Sequence, residues 1–422
     1  MSLLFVFTLT ALVHRSHALR LDGHYAGEWV KRGAHIAVEF DFQGSKGSFT
    51  SLPQAVMSYP LDEVDHHGNQ VTFVVGGGMK FSGALDGIDL AGTFDDGDGG
   101  GTFSLHRTPR ASLPYEAKNV TFGSKDARLA GTLCVPNGKG PFPAIILLHG
   151  SGPQSRWGTL RYIADVMARH GIAALCWDQR GSGDSGGEWY RSNYNDLVSD
   201  AIAGIDLLKS TPHVAPAKIG VYGHSQGGTV AAELAVREPT LAFVIAGSPI
   251  VGKVYDQDLY RVRNMLAKQF APAEVDKAMA YFGYWVDVAR TGAGHGQLDA
   301  ATAQVKSEKW FDSVQAPGPQ SYIWSYYPTI ANTDTLPLWR QIHVPVLILY
   351  GGHDAIEDVP QYALGADTQL RTGQNPDYTV VILPRARHEL SVDPEPGALY
   401  DWRRPSPGLY DLLVAWIKLR FA

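Results

Sequence analysis

Continuous apolar runs alternate with stretches of helical periodicity through most of the second half of this chain. The runs read PAIILL, IAALCW, KIGVY, LAFVIAG, VPVLILY and YTVVIL. Uninterrupted apolar strands are typical of a sheet covered on both faces, and helices between consecutive strands make those strands parallel. In residues 195–208, for example, apolar side chains recur at helical spacing. The pattern predicts an α/β protein with a doubly wound, mostly parallel sheet.

The first hundred residues have a different pattern. Between residues 21 and 107, short β-branched and aromatic runs alternate with glycine-rich turns at a spacing of roughly ten residues. This predicts a small antiparallel β-domain over residues 19–110, followed by the α/β domain over residues 115–422. The acidic turn at residues 95–101 lacks the spaced ligands and closing glutamate of a calcium loop, so we interpret it as a hairpin turn.

Residues 1–13 form an apolar run that is shorter than the ~20 residues of a membrane-spanning helix. Small residues, Ser16 and Ala18, follow at the two positions that a signal peptidase reads. We therefore expect a signal peptide over residues 1–18, a secreted or periplasmic protein, and no stable membrane insertion. Because no basic residue precedes the apolar run, a mis-assigned start codon or a lipid-facing anchor stays open as an alternative.

Charge and cysteine content exclude several classes of function. The net charge is −6, which argues against a nucleic-acid-binding protein. The two cysteines, Cys134 and Cys176, are too few for a disulfide scaffold and form no C-x-x-C pair for zinc or redox chemistry. We expect buried free thiols, although a single disulfide bond between them stays open. No metal site and no cofactor are expected.

One long interval interrupts the alternation of strands and helices. Residues 254–342 contain no apolar strand, but Pro272 opens a helical pattern that carries Trp285 on its apolar face. An insertion of this length is rarely an idle loop, so we predict a mainly helical cap over the carboxyl ends of the strands. Trp324 and Tyr327 lie in a less regular, aromatic-rich part of this cap, and we predict that they line a substrate pocket.

The segment 223–228, which reads GHSQGG, is the strongest functional signal. It follows the strand KIGVY and precedes the helix TVAAELAV. A serine between glycines at such a junction lies on a tight turn that exposes its hydroxyl above the sheet, near the positive end of the helix. We predict that Ser225 is a nucleophile.

A serine nucleophile needs a base, and the base needs an acid that orients it. His388 follows the strand YTVVIL, and Asp354 follows the strand VPVLILY. The order Ser225, Asp354, His388 along the chain is the one that this architecture requires. Four other residues compete for the two roles, Glu357 and Asp358 for the acid and His224 and His353 for the base.

Acyl transfer also needs hydrogen-bond donors for the developing oxyanion. One predicted donor is the backbone N–H of Gln226, directly after the nucleophile. The second is the backbone N–H of Ser151, in the glycine-containing loop HGSGP at residues 149–153. Another glycine-rich segment, 181–186, matches G-x-G-x-x-G, but the stretch that follows it has helical periodicity and no second strand ending in an acidic residue. We therefore do not expect nucleotide binding.

These motifs carry a resemblance to a known family. Residues 120–422 resemble the α/β-hydrolase superfamily, and the segment WDQRGSGDS at 177–185 resembles the D-x-R-G-x-G-x-S motif of its esterase and serine-aminopeptidase-like branches. The segment GHYAGEW at 23–29 resembles the start of the small β-domain that precedes the hydrolase in some secreted bacterial esterases. The resemblance implies an α/β-hydrolase fold preceded by a small β-domain.

Together, the residues and the resemblance predict a serine hydrolase that cleaves small carboxylic esters through an acyl-enzyme, without a cofactor. No partner protein is indicated. One alternative is a serine exopeptidase acting on small peptides, for which the cap offers the acidic residues Asp256, Asp258, Glu274, Asp276 and Asp287. A second alternative is a polymer-binding protein on a hydrolase scaffold that has lost its activity.

Overall fold

The computed structural model describes residues 20–421, so the predicted signal peptide lies outside the described residues. The chain divides into two compact units. One comprises the chain up to Ser51 together with Tyr59–Arg110, and the other comprises Leu52–Ser58 together with Ala111–Ala422. Among residues 20–421, no helix combines the length and the apolar character needed to cross a bilayer.

The first unit is a closed antiparallel barrel of eight strands in sequential order, in which β1 also pairs with β8. The prediction of a small antiparallel β-domain is therefore confirmed. The strands are β1 (Gly23–Lys31), β2 (Ala34–Gln43), β3 (Lys46–Ser51), β4 (Val56–His67), β5 (Gln70–Val75), β6 (Met79–Asp86), β7 (Asp89–Asp95) and β8 (Gly101–Arg107). A 3₁₀ helix, Leu52–Gln54, lies between β3 and β4.

Aromatic rings fill the inside of the barrel. Phe73 and Phe81 stack with their centroids 4.5 Å apart, and Phe40 meets both rings edge-on at 5.0 and 5.6 Å. Glycines allow the strands to approach closely around these rings. A Cβ at Gly27 would lie 2.0 Å from the carbonyl oxygen of Ser104 on the neighbouring strand. The interior is a packed hydrophobic core, as in other small barrels.

The second unit is built on an eight-stranded sheet in the order β16-β15-β14-β13-β11-β12-β10-β9. The pairs from β11 to β16 are parallel, whereas β9 and β10 add an antiparallel edge. The strands are β9 (Tyr115–Ser124), β10 (Ala127–Pro136), β11 (Phe142–Leu148), β12 (Ala173–Trp177), β13 (Val214–His224), β14 (Val244–Gly247), β15 (Val346–Gly351) and β16 (Tyr378–Leu383). The short strands β17 (Ser391–Val392) and β18 (Arg404–Pro405) form a separate pair. The predicted mostly parallel sheet is confirmed.

Helices cover both faces of this sheet. The helices outside the cap are α1 (Thr159–Arg169), α2 (Tyr194–Lys209), α3 (Gln226–Arg237), α10 (Val359–Thr372) and α11 (Leu409–Phe421). Because alternate residues of a strand point to opposite faces, Ile145 of β11 packs in one core with α1 and α11, and Ile146 packs in the other with α2 and α3. A 3₁₀ helix, Trp189–Arg191, precedes α2.

The predicted helical cap lies between β14 and β15. Its helices are α4 (Val254–Ala267), α5 (Pro272–Thr291), α6 (His295–Val305), α7 (Phe311–Val314), α8 (Ile323–Ile330) and α9 (Leu336–Trp339). Helix α5 begins at Pro272, where a missing N–H leaves no helical bond unmade. The Trp285 indole donates to the carbonyl oxygen of Val314 at 2.8 Å, which ties α5 to α7.

Candidate active site

Ser225 lies on the sharp turn between β13 and α3. Its φ of 54° and ψ of −120° are unusual for a residue with a side chain, and such strain persists only where the surroundings impose it. The two neighbouring positions, 223 and 227, have no room for a side chain. A Cβ at Gly223 would lie 2.0 Å from the carbonyl oxygen of Gly227, and a Cβ at Gly227 would lie 2.5 Å from that of His149. The Ser225 N–H donates to the Gly247 carbonyl at 2.8 Å, which fixes the turn on the next strand.

The structure brings His388 and Asp354 to this serine. His388 Nε2 lies 3.0 Å from Ser225 Oγ, and His388 Nδ1 lies 2.8 Å from Asp354 Oδ2. The Asp354 side chain is fully buried, and its other oxygen accepts the backbone N–H groups of Ile356 at 2.8 Å and Glu357 at 3.1 Å. These two donors hold the carboxylate in the orientation that faces the imidazole.

The competing carboxylates have other partners. Glu357 is completely buried and accepts from Gln257 Nε2 at 3.0 Å. Burial, followed by the negative charge of Asp354, raises the pKa of Glu357 well above its usual value. Asp358 caps α10 by accepting the Gln361 N–H at 3.3 Å. Within the described chain, neither carboxylate is a hydrogen-bond partner of His388.

The two competing histidines lie in different environments. His353 is exposed on the turn before Asp354. His224 Nε2 lies 2.9 Å from the backbone carbonyl of His388, so its ring N–H donates there. Burial, followed by the charge of the nearby His388, lowers the pKa of His224 to about 4 and keeps the ring neutral near pH 7. The hydroxyl of Ser248 donates to the same carbonyl at 2.8 Å. His224 and Ser248 therefore brace the loop that carries His388.

Ser248 was missed by sequence reasoning. It directly follows β14, and a small polar residue at the carboxyl end of a parallel strand is the signal that could have identified it.

The predicted oxyanion donors belong to two segments next to Ser225, the start of α3 and the loop after β11. Gln226 is the first residue of α3, where backbone N–H groups have no acceptor within the helix. Ser151 lies in the loop after β11 and lines the same cavity as Ser225. At the preceding position, a Cβ on Gly150 would lie 3.6 Å from the Ser225 Cβ, so this loop passes directly beside Ser225.

A cavity of about 620 Å³ opens above Ser225 and has two chemically different walls. The apolar wall comes from α1, from the loop before it, from the start of α11 and from the turn after Asp354. Its members include Trp157, Leu160, Ile163, Ile356 and Leu409. The polar wall comes from cap helix α4, where Arg261 Nη2 donates to Asp258 Oδ1 at 3.1 Å.

Trp324 and Tyr327 are not among the residues that line this cavity. The stretch predicted to be irregular forms helix α8, which directs both rings into the cap. The Trp324 indole donates to the Gly318 carbonyl at 2.8 Å, and its ring packs against His295 at 4.6 Å. Tyr327 is buried in the main hydrophobic core. The sequence does not identify the wall residues Leu160 and Leu409 as part of a cavity, because their spacing is the one expected for ordinary helix packing.

The G-x-G-x-x-G segment has a structural explanation. The buried Asp178 carboxylate accepts the backbone N–H groups of Arg156 at 2.7 Å and Asp184 at 2.9 Å, and it pairs with the Arg156 guanidinium. Arg180 makes two hydrogen bonds to buried Asp200, at 2.8 and 2.7 Å. These charged pairs stabilise the loop that contains the segment. A backbone hydrogen bond from the Gln179 N–H to the Gln154 carbonyl also joins this loop to the residues directly after HGSGP.

Other polar clusters show no arrangement for a metal. Among residues 20–421, no group of three or more His, Cys, Asp or Glu side chains converges on a point that could hold an ion. In the acidic hairpin turn, Asp96 accepts from Lys31 Nζ and from the backbone N–H groups of Asp98 and Gly100. Cys134 and Cys176 are both free and buried.

Curated relatives match part of the chain. Esterase EstD of Thermotoga maritima is 28% identical over 141 residues, which cover 32% of this chain and 33% of that protein. Acyl-coenzyme A thioesterase 3 of Mus musculus is 31% identical over 134 residues, which cover 29% of this chain and 27% of that protein. The chain thus spans a third or less of the length of these two relatives.

A solved structure of an esterase from Pyrococcus furiosus aligns with a TM-score of 0.47 at 18% identity, covering 74% of this chain and 97% of that chain. Residues 140–395, more than half of the chain, match the family described as serine aminopeptidase, S33. The expected superfamily is therefore confirmed: the chain belongs to the serine aminopeptidase (S33) family of α/β-hydrolases, with a β-barrel domain preceding the hydrolase domain.

Proposed function

We propose that this protein is a serine esterase that hydrolyses small carboxylic esters at Ser225. The observation that carries the proposal is the continuous hydrogen-bonded chain from Ser225 through His388 to buried Asp354, with distances of 3.0 and 2.8 Å. Such a chain supplies a nucleophile, a base and an orienting acid. The names of the esterase and thioesterase relatives support hydrolysis of an ester-type bond in general.

In the proposed reaction, Ser225 Oγ attacks the acyl carbon of the ester while His388 Nε2 accepts the hydroxyl proton. The tetrahedral oxyanion is bound by the backbone N–H groups of Ser151 and Gln226. The intermediate then expels the alcohol, to which His388 returns the proton, and an acyl-enzyme remains. Water repeats the cycle and releases the carboxylic acid. Asp354 keeps the imidazole in the reactive tautomer and stabilises its protonated form.

The polar wall of the cavity favours an ester over a peptide with a free amino terminus. Of the five acidic cap residues that the sequence offers, Asp258 is the one that lines the cavity in the described chain. Its Oδ1 atom is already paired with Arg261 at 3.1 Å, and the Arg261 guanidinium in the same wall would repel a substrate ammonium group. Comparing p-nitrophenyl esters with aminoacyl p-nitroanilides as substrates separates the two reactions.

Replacement of Ser225 by alanine should remove activity with little effect on folding. The hydroxyl belongs to the cavity rather than to the core, whereas loss of a nucleophile lowers kcat by about 10⁴-fold or more. The wild-type protein should react with a fluorophosphonate probe at Ser225, identified by peptide mass spectrometry, and Ser225→Ala should not. A variant that keeps a tenth of the esterase activity contradicts the assignment. A correctly folded wild type that fails to react points to a binding protein on an inactive scaffold.

Asp354→Asn and Asp358→Asn form a matched pair. Asp354→Asn should lower kcat by on the order of 10³-fold or more, because an amide no longer favours the reactive tautomer of His388. Asp358→Asn should stay close to wild type, because asparagine caps a helix as well as aspartate does. Steady-state kinetics with one p-nitrophenyl ester checks both variants. The opposite ranking would move the acid to Asp358.

The apolar wall should set the acyl-chain length. Leu160→Phe reduces the space beside Ser225 and should move the optimum to shorter p-nitrophenyl esters, with about a fourfold loss in kcat/KM for each excluded methylene, equivalent to about 0.8 kcal/mol. Trp324→Ala should keep the wild-type profile, because its ring packs against His295 outside the cavity wall. If Trp324→Ala shifts the optimum and Leu160→Phe does not, the acyl group lies against α8 instead.

Acid should destabilise the protein partly through His224. In the unfolded state, His224 takes up a proton as the pH falls below 6.5, whereas in the folded protein its ring stays neutral down to about pH 4. The free energy of unfolding therefore does not depend on His224 above pH 6.5, and between pH 6.5 and 4 it falls by up to about 1.4 kcal/mol per pH unit. His224→Gln should show a smaller drop in Tm between pH 7.5 and 5. The slope that remains comes partly from buried His149, whose pKa burial also lowers. An unchanged slope in the variant excludes His224 as the responsible group.

A further inference from the structure

The side chain of Gln226 extends from the active-site turn into the cap. Its Nε2 donates to the hydroxyl of Tyr326 on α8 at 2.9 Å. Both side chains are almost completely inaccessible to solvent, with Gln226 2% and Tyr326 5% exposed. The residue whose backbone N–H is the proposed oxyanion donor is therefore attached to the cap by a buried hydrogen bond.

Aromatic neighbours hold Tyr326 in place. Its ring lies 4.5 Å, centroid to centroid, from that of buried Trp189, which follows the loop braced by Asp178. A second contact lies outside this pair, where the rings of Tyr190 and Tyr322 approach to 4.1 Å. The two contacts join α8 to the 3₁₀ helix Trp189–Arg191 of the hydrolase domain, so the Tyr326 hydroxyl is presented to Gln226 from a fixed position.

The chemistry of this pair suits a permanent contact. Burial raises the pKa of Tyr326, so its phenol remains neutral and can accept the amide N–H. A buried amide donor left without a partner is unfavourable, which keeps the bond formed in the folded protein. The Gln226 N–H lies in the same peptide plane as the Ser225 carbonyl, which accepts the N–H groups of Gly228 at 2.8 Å and Thr229 at 3.3 Å, so this N–H moves with the first turn of α3. The bond to Tyr326 holds that turn against the cap.

We propose that Tyr326 is a positioning residue, which rests on the proposed function: through the Gln226 side chain, its hydroxyl holds the first turn of α3, and with it the Gln226 backbone N–H, in place beside the developing oxyanion. The cap then contributes to the rate of acyl transfer as well as covering the cavity. An interaction of this kind acts in the transition state and not in the bound substrate, so its loss lowers kcat and leaves KM unchanged.

The test compares Tyr326→Phe with Tyr281→Phe. Tyr281 is also a buried cap tyrosine, but its hydroxyl pairs with Thr302 Oγ1 at 2.8 Å and not with the active-site turn. Tyr326→Phe should lower kcat by about 10- to 100-fold at constant KM, the range expected when an oxyanion donor is misaligned. Tyr281→Phe should lower Tm by about as much as Tyr326→Phe does and leave kcat unchanged. A Trp189→Phe variant, which loosens the ring contact but keeps the hydroxyl, should show a smaller loss in kcat.

A trifluoromethyl ketone provides an independent readout, because its serine adduct places an oxyanion where the reaction does. Its inhibition constant should rise for Tyr326→Phe in proportion to the loss in kcat. Full kcat in Tyr326→Phe, an equal loss in Tyr281→Phe, or a change confined to KM overturns the proposal. Fluorophosphonate labelling of Ser225 in the wild type tests the proposed function separately from the positioning role. If the wild type is labelled and the Tyr326→Phe variant is fully active, only the positioning role is refuted.

Discussion

Steric crowding around the turn between β13 and α3 is the constraint on which the rest of the site depends. A Cβ at Gly223 or Gly227 would collide with backbone oxygens at 2.0 and 2.5 Å, so strand and helix can meet this closely only through glycine. The same crowding imposes a positive φ on Ser225 and directs its hydroxyl out of the sheet. The turn is also anchored to β14 through the bond from the Ser225 N–H to Gly247.

The parallel order of the strands brings the other groups to this turn. Asp354 follows β15 and His388 follows β16, and the carboxyl ends of parallel strands share one edge of the sheet. The His388 loop is not left to the sheet alone. His224, the last residue of β13, and Ser248, after β14, both donate to the His388 carbonyl. The candidate nucleophile and base are therefore connected through backbone bracing as well as through their side chains.

The cap meets the hydrolase domain through polar as well as apolar contacts. Gln257 on α4 donates to Glu357, whose backbone N–H in turn donates to Asp354. On the other side, Tyr326 on α8 accepts from Gln226. Cap helices thus contact the residue next to Ser225 and the segment next to the candidate acid. A cap attached at both points shapes the cavity and also restrains the groups around Ser225.

Sequence alone determined the features that depend on local spacing. The strand–turn–helix around Ser225, the order of Ser225, Asp354 and His388, and the extent of the cap all follow from periodicity and from glycines at fixed positions. Tertiary structure decided what depends on distant contacts. His224 meets His388 across 164 residues and Gln226 meets Tyr326 across 100. It also decided that Leu160 and Leu409, and not Trp324 or Tyr327, line the cavity. Periodicity shows which face of a helix is buried, but the packing of whole elements decides whether that face meets the core or the substrate cavity.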